Sequence, residues 1–319
     1  MATCPACRKG KLVKFEDTRY CSENCGFVED IKPIRAQKWL LKIAENDRNY
    51  WRREYFDKLP TFIAHEYRRL WLMTRRPNVF CMVYQLKDVG EVLMKFPVLC
   101  AAAVLNDDDV SGKLVEKALS IGDWQRICQY IIGEYGGKPR FELPECLRNI
   151  LTGIHQVYCD TNIANYRNDY LGHGAMGFED NQGYRDFGEK LINSISSYLA
   201  RVLPDYARLK VTVDGTEFTG WGVPKEFLTQ AEPILHIDGR EIPLYPYMAN
   251  SEKHGILFFD YYKATRNNRL ANGLNYVRGG GRKTFVAPYY CEVYGRQFGD
   301  APQKKADMDM TTEDSVSTP

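Results

Sequence analysis

No run of 18 or more apolar residues occurs anywhere in this 319-residue chain, so a membrane-spanning helix of ordinary length is not expected. The opening stretch, "MATCPACRKG", has no basic segment leading into an apolar one, so no secretory leader is expected and the reading is cytoplasmic, with no membrane partner. A dominant charge is missing too. Forty-three basic residues against 41 acidic leave a net charge of +2. No global electrostatic signature therefore announces a polyanionic partner, although local segregation of charge stays open. The glycine run Gly279 to Lys283 ("GGGRK") matches neither a P-loop nor a dinucleotide fingerprint and reads as a hairpin loop. No helix-turn-helix and no concentrated basic face is visible, which weakens a transcription regulator.

What is present is the texture of a globular protein, 44% apolar and 26% charged, long enough for two domains or one with appendages. Its ten cysteines fall into two groups. Cys81, Cys100, Cys128, Cys146, Cys159 and Cys291 are scattered singly through apolar stretches and read as small buried hydrophobes. The other four are clustered: Cys4-x2-Cys7 and Cys21-x3-Cys25 flank the hairpin-length segment "KLVKFEDTRY". Two short-spaced pairs of thiolates suit a tetrahedral structural zinc site, with Gly10 and Gly26 turning the backbone under the metal. Four cysteines leave no open position for water, so zinc there would be structural, not catalytic. These 27 residues resemble the small zinc fingers at the carboxy end of type I topoisomerases. A nucleic-acid or protein contact and a metal-stapled mini-domain both fit: Lys9, Lys11, Lys14 and Arg19 favour the first, while Glu16, Asp17, Glu23, Glu29 and Asp30 weaken it.

From about Ile34 to Arg201 the apolar spacing is helical and predicts a bundle of antiparallel helices. Asn106 to Asp109 breaks it with a loop, and Gly136-Gly137 stops the helix around "WQRICQYIIGEY". Trp71 and Trp124 read as core. Two long helices, from "LPECLRNIL" to "NYRNDYL" and over "GYRDFGEKLINSISSYLARVL", flank the most unusual stretch, "IANYRNDYLGHGAMGF". There Arg167 and His173 are six positions apart, with Asn168 directly after the arginine. On one continuous helix such a pair would lie about 240° apart and share no face. A helix ending near Leu171-Gly172 lifts that constraint, and lets His173 fold back beside Arg167. Gly174 and Gly177 leave room for a sugar-phosphate backbone. An ordinary helix C-cap is the plainer reading of the same residues.

"YRNDYLGHG" and "KALSIGDWQRICQYI", within about 170 residues of helical pattern, resemble the HEPN superfamily of bacterial defence-type proteins and its Rx4-6H motif. The resemblance implies a helical bundle acting as a metal-independent endoribonuclease, with two sites facing each other across a two-fold axis. A homodimer or a pairing with another HEPN chain is implied, RNA as substrate, and a toxin or effector role in antiviral defence under a regulatory partner protein. Arg167 and His173 would be catalytic, with Asn168 a positioning residue. Chemistry supports the assignment: histidine titrates near neutrality and can move the protons of a 2′-hydroxyl transesterification, and arginine holds a phosphate through its fork. His65, His155, His236 and His254 lack comparable neighbours and read as structural.

After Pro204 the pattern alternates, with hairpin turns expected at Asp214-Gly215 and Asp238-Gly239 and a buried strand at "HGILFFDYYK". The expected whole is a multidomain α+β protein: a Cys4 zinc ribbon (1–32), a HEPN-like all-α bundle (33–204), an antiparallel β-rich domain (205–299) and a disordered tail (300–319). The alternative function is a non-catalytic nucleic-acid- or protein-binding scaffold that dimerises through its bundle.

Overall fold

The computed structural model describes residues 2–4, 8–15, 18–23, 28–30, 50–73, 79–116, 119–137, 143–167, 181–220, 231–251, 255–263, 273–277 and 287–289. Among them are eight helices and antiparallel sheets, an α+β architecture. The expected glycine-rich loop at 279–283 and the expected disordered tail at 300–319 lie outside the described residues. No helix among the described residues is long and apolar enough to cross a membrane.

After α1 (Arg53–Lys58) and α2 (Thr61–Met73), the fold is organised around α3 (Val79–Leu105). This helix packs against α2, α5 (Ile121–Tyr135), α6 (Glu145–Thr161) and α8 (Asn181–Tyr206). It is consequently buried without a break from Gln85 to Ala103. Most of that stretch is aliphatic, as a helix enclosed on all sides must be. Five positions are polar or charged: Gln85, Lys87, Asp88, Glu91 and Lys95.

The connections follow local chemistry. Asn106 takes a positive φ (46°), and Asp107 then caps α4 (Asp108–Val115), its Oδ1 accepting from the N–H groups of Asp109 at 2.9 Å and Val110 at 3.1 Å. The break expected over Asn106 to Asp109 is thus two residues wide, because the cap lets Asp108 and Asp109 enter the helix. Ser120 opens α5 with a reciprocal capping box: its Oγ accepts from Asp123 N–H and Asp123 Oδ2 accepts from Ser120 N–H at 2.8 Å. Helix α6 buries Cys146, Leu147, Ile150, Leu151, Ile154, Val157 and Tyr158, one face at helical spacing. It lies antiparallel to α8, with Asn149 beside Asp205 and Gly153 beside Tyr198. At Gly153 the backbone comes so close that a β-carbon would sit 2.8 Å from the Tyr198 ring.

The carboxy-terminal strands are antiparallel, as expected, and form two four-stranded sheets. The first has the order β5-β4-β6-β7, from β4 (Lys210–Val213), β5 (Thr216–Glu217), β6 (Ile234–Ile237) and β7 (Arg240–Pro243). Both Asp-Gly turns occur where the sequence places them. Asp214 and Gly215 (φ 49° and 74°) join β4 to β5, and Asp238 and Gly239 (φ 48° and 76°) join β6 to β7. Paired positive φ angles match the strand twist, and aspartate and glycine bear them at low cost. The second sheet runs β11-β10-β9-β8, from β8 (Met248–Ser251), β9 (Gly255–Lys263), β10 (Gly273–Val277) and β11 (Ala287–Tyr289). Helices and sheets share one apolar core. Thr61 N–H donates to Phe218 O at 2.9 Å, Gly220 N–H donates to Leu59 O at 2.8 Å, and Phe62 packs on both Phe96 and Phe258. Among the described residues a second cluster, Cys4, Leu12 and Cys21, lies at a small antiparallel sheet of β1 (Leu12–Phe15), β2 (Thr18–Cys21) and β3 (Val28–Asp30).

Candidate functional site

Helix α6 does not run on to Leu171. It ends at Thr161, where Asn162 turns into the left-handed region (φ 53°, ψ 34°) and still donates its N–H to Tyr158 O at 3.0 Å. Asparagine enters that region more readily than most residues, so one side chain divides the expected long helix in two. The short helix α7 (Ile163–Tyr166) follows, with Arg167 as its C-cap. Arg167 is thus carried by a single turn after a corner, a break that helical periodicity alone does not reveal.

That turn is anchored on three sides. Ile163 is fully buried and reaches Gly90 of α3, where an added β-carbon would sit 3.0 Å from Ile163 Cδ1. Ala164 packs toward Gly122 at the start of α5. The Tyr166 ring stacks on Phe187 of α8, centroids 3.6 Å apart and planes 3° from parallel, with Tyr184 edge-on at 6.4 Å. The Arg167 N–H donates to the carbonyls of Ile163 and Ala164, and its side chain is half-buried at the surface. The anchored backbone fixes the point from which the Arg167 side chain projects. Asn168 and His173 lie outside the described residues, as do Gly172, Gly174 and Gly177.

Beneath the corner lies the buried polar row of α3, which sequence reasoning missed. Tyr158 OH donates to Gly90 O at 3.1 Å, next to Glu91. Lys87 Nζ sits 2.7 Å from Asp88 Oδ1 and 3.4 Å from Glu91 Oε1. Gln85 Nε2 donates to Glu66 Oε2 of α2 at 2.6 Å, and Arg69 meets Glu66 at 3.0 Å. Lys95 Nζ lies over the Trp124 ring, 5.5 Å from its centroid. Burial pushes the Asp88 carboxyl up to about 6, with Lys87 pulling the other way and Glu91 and Glu66 adding to the rise. Burial alone would lower the Lys87 pKa, but Glu91 and Asp88 more than offset it and hold the ammonium charged. Spacing could have found the row only through its density: four charges in nine positions of an otherwise aliphatic helix.

At the amino end, Cys4 and Cys21 are both buried and share one small cluster. The chain turns back after Cys4, whose N–H donates to Gly10 O at 2.8 Å and whose carbonyl accepts from Arg8 N–H at 3.0 Å. Cys21 pairs with Leu12 across the β1–β2 ladder, and Glu23 N–H points at its Sγ from 3.4 Å. Gly10 lies under that sulfur so tightly that a β-carbon would stand 2.4 Å from it. A backbone N–H on a sulfur and a side-chain-free residue beneath it suit a thiolate held for a metal. Cys7 and Cys25 lie outside the described residues; among the described residues no group of three or more His, Cys, Asp or Glu is placed to hold an ion.

The other histidines and cysteines divide. His236 contacts Thr212 Oγ1 at 2.8 Å and Glu241 at 3.5 Å, a structural role as expected. Cys100, Cys128 and Cys146 are buried as expected, whereas Cys159 is exposed and lies beside His155. The expectation fails there because Cys159 falls on the outer face of α6, one turn after His155. No protein-family model, curated protein or solved structure matches this chain.

Proposed function

We propose that this chain is a HEPN-type endoribonuclease. Arg167 clamps the scissile phosphate, and His173 moves the protons of 2′-hydroxyl attack and 5′-oxygen departure. The observation that carries the reading is Arg167 itself, a half-buried guanidinium on a one-turn helix locked to α3, α5 and α8. Arginine stays charged at every working pH and matches phosphate oxygens two at a time, so it would offset the charge that grows on the phosphorane. His173 follows six residues later, with glycines on both sides, close enough in sequence to return to that phosphate. Transesterification of RNA needs an acid, a base and a cation, and these side chains supply all three. Asn168 would position the pair. The resemblance to HEPN proteins adds the working form: two copies, or this chain with another HEPN chain, presenting their sites across a two-fold axis. It also adds the setting, a toxin or antiviral effector restrained by a partner protein.

Cys4, Cys7, Cys21 and Cys25 would hold a structural zinc ion, which supplies a cross-link for a sheet too small to build a core of its own. Its separation from the main core suits a module that grips RNA or a protein while the bundle cuts.

The test is digestion of a mixed RNA substrate by the parent chain and by His173→Ala. Loss of cleavage by at least about a hundredfold is expected, the usual weight of a general acid or base, with helical circular dichroism unchanged. Equal cleavage by the variant would overturn the assignment. Binding of RNA without turnover by either protein would leave the scaffold reading in its place.

A further inference from the structure

One turn separates His155 from Cys159 on the outer face of α6. Cys159 Sγ lies 3.8 Å from His155 Nδ1 and 3.9 Å from Nε2, and Gln125 Nε2 reaches the same sulfur from α5 at 3.6 Å. The thiol is exposed, while Cys100 on α3, Cys128 on α5 and Cys146 on α6 are buried. Burial pulls the His155 pKa down, so its imidazole is neutral near pH 7 and able to accept a proton. The adjoining carboxylate, Asp160, is engaged by Gln156 Nε2 at 2.6 Å. An accessible sulfur, a base one turn away and an amide donor from a second helix are the parts of a reactive thiol.

We propose that Cys159 is a reactive thiol that exchanges with low-molecular-weight disulfides, with His155 as its base and Gln125 as the donor that steadies the thiolate. The thiol proton passes to an imidazole nitrogen of His155 as Sγ attacks one sulfur of the disulfide. A new S–S bond forms to Cys159, the old one breaks, and the departing thiolate takes the proton from His155. One thiol and one disulfide become one mixed disulfide and one thiol, so no further oxidant is needed, and an excess of small thiol reverses the step. The buried thiols are built-in controls. Burial pushes the pKa of each upward, and a disulfide in solution does not reach them. The adduct would stand at the α5–α6 seam, three residues before the Asn162 corner that seats α7. The proposal does not depend on RNA cleavage.

The test uses the full chain with oxidised glutathione and, separately, with Ellman's reagent. Adducts at Cys100, Cys128, Cys146 and Cys159 are followed over time by peptide mass spectrometry. Native Cys159 is expected to react faster than the same cysteine in the urea-unfolded chain. His155→Ala and the better-matched His155→Gln should each slow it on the order of tenfold, a modest general-base effect because the pair is partly solvated. The three buried cysteines should stay unmodified in every native sample. Rates at Cys159 that are unchanged by both histidine variants, or slower in the folded than in the unfolded chain, would overturn the proposal.

Discussion

Replacing Lys87 with methionine tests whether the polar row inside α3 is held together by charge. The ammonium is 6% exposed and lies 2.7 Å from Asp88 Oδ1 and 3.4 Å from Glu91 Oε1. At an effective dielectric of about 20, those distances correspond to gross attractions of about 6 and 5 kcal/mol. Much of that is offset by the desolvation of three charges, so the pair as a whole adds little. Removing only the cation is different. Methionine keeps the volume but leaves Asp88 and Glu91 buried without it, a loss on the order of 3–5 kcal/mol at pH 8. The sign with pH follows from Asp88. Its folded pKa of about 6 lies above its ordinary 3.8, so the native state binds the proton more tightly than the unfolded chain. That contribution is fully present below 3.8 and is lost as pH rises through about 6, a span of roughly 3 kcal/mol. Without Lys87 the folded pKa rises further, so the variant should recover stability between pH 8 and pH 5. Urea unfolding followed by helical circular dichroism at both pH values measures this directly. Adding Asp88→Asn to Lys87→Met should return part of the loss, because the orphaned charge disappears. A loss below about 1 kcal/mol at pH 8, or one equal at both pH values, would refute the reasoning.

Two further outcomes follow from packing and ligation. Gly153→Ala should destabilise the α6–α8 contact by about 1–3 kcal/mol, because the new methyl meets the buried Tyr198 ring at 2.8 Å and overpacking has that range; a lowered urea midpoint checks it. Metal analysis should find about one zinc ion per chain in the parent and far less in Cys21→Ser, with helical circular dichroism nearly unchanged because the Cys4–Cys21 cluster is separate from the main core.

Local signals in the sequence were sufficient wherever local chemistry decides the backbone. Asp214-Gly215 and Asp238-Gly239 needed only their own φ preferences to turn. The apolar periodicity was enough to place helices and strands in their order. It failed at Asn162, where nothing in the spacing of apolar residues distinguishes a continuous helix from two helices meeting at a left-handed residue. It failed again at Cys159, since a cysteine between apolar neighbours looks the same on either face of a helix until the face is known.

The amino-acid order by itself determined the α+β class, the two Asp-Gly turns and the four amino-terminal cysteines at ligand spacing, because each rests on interactions within a few residues. Tertiary structure decided which helix is enclosed, and therefore that Lys87, Asp88 and Glu91 face one another and not water. It also decided that Arg167 stands on a one-turn platform fixed by Gly90, Gly122 and Phe187. The contacts that seat the platform join residues far apart in sequence, Gly90 with Ile163 and Gly122 with Ala164, and burial, unlike backbone preference, is a property of the neighbours and not of the residue.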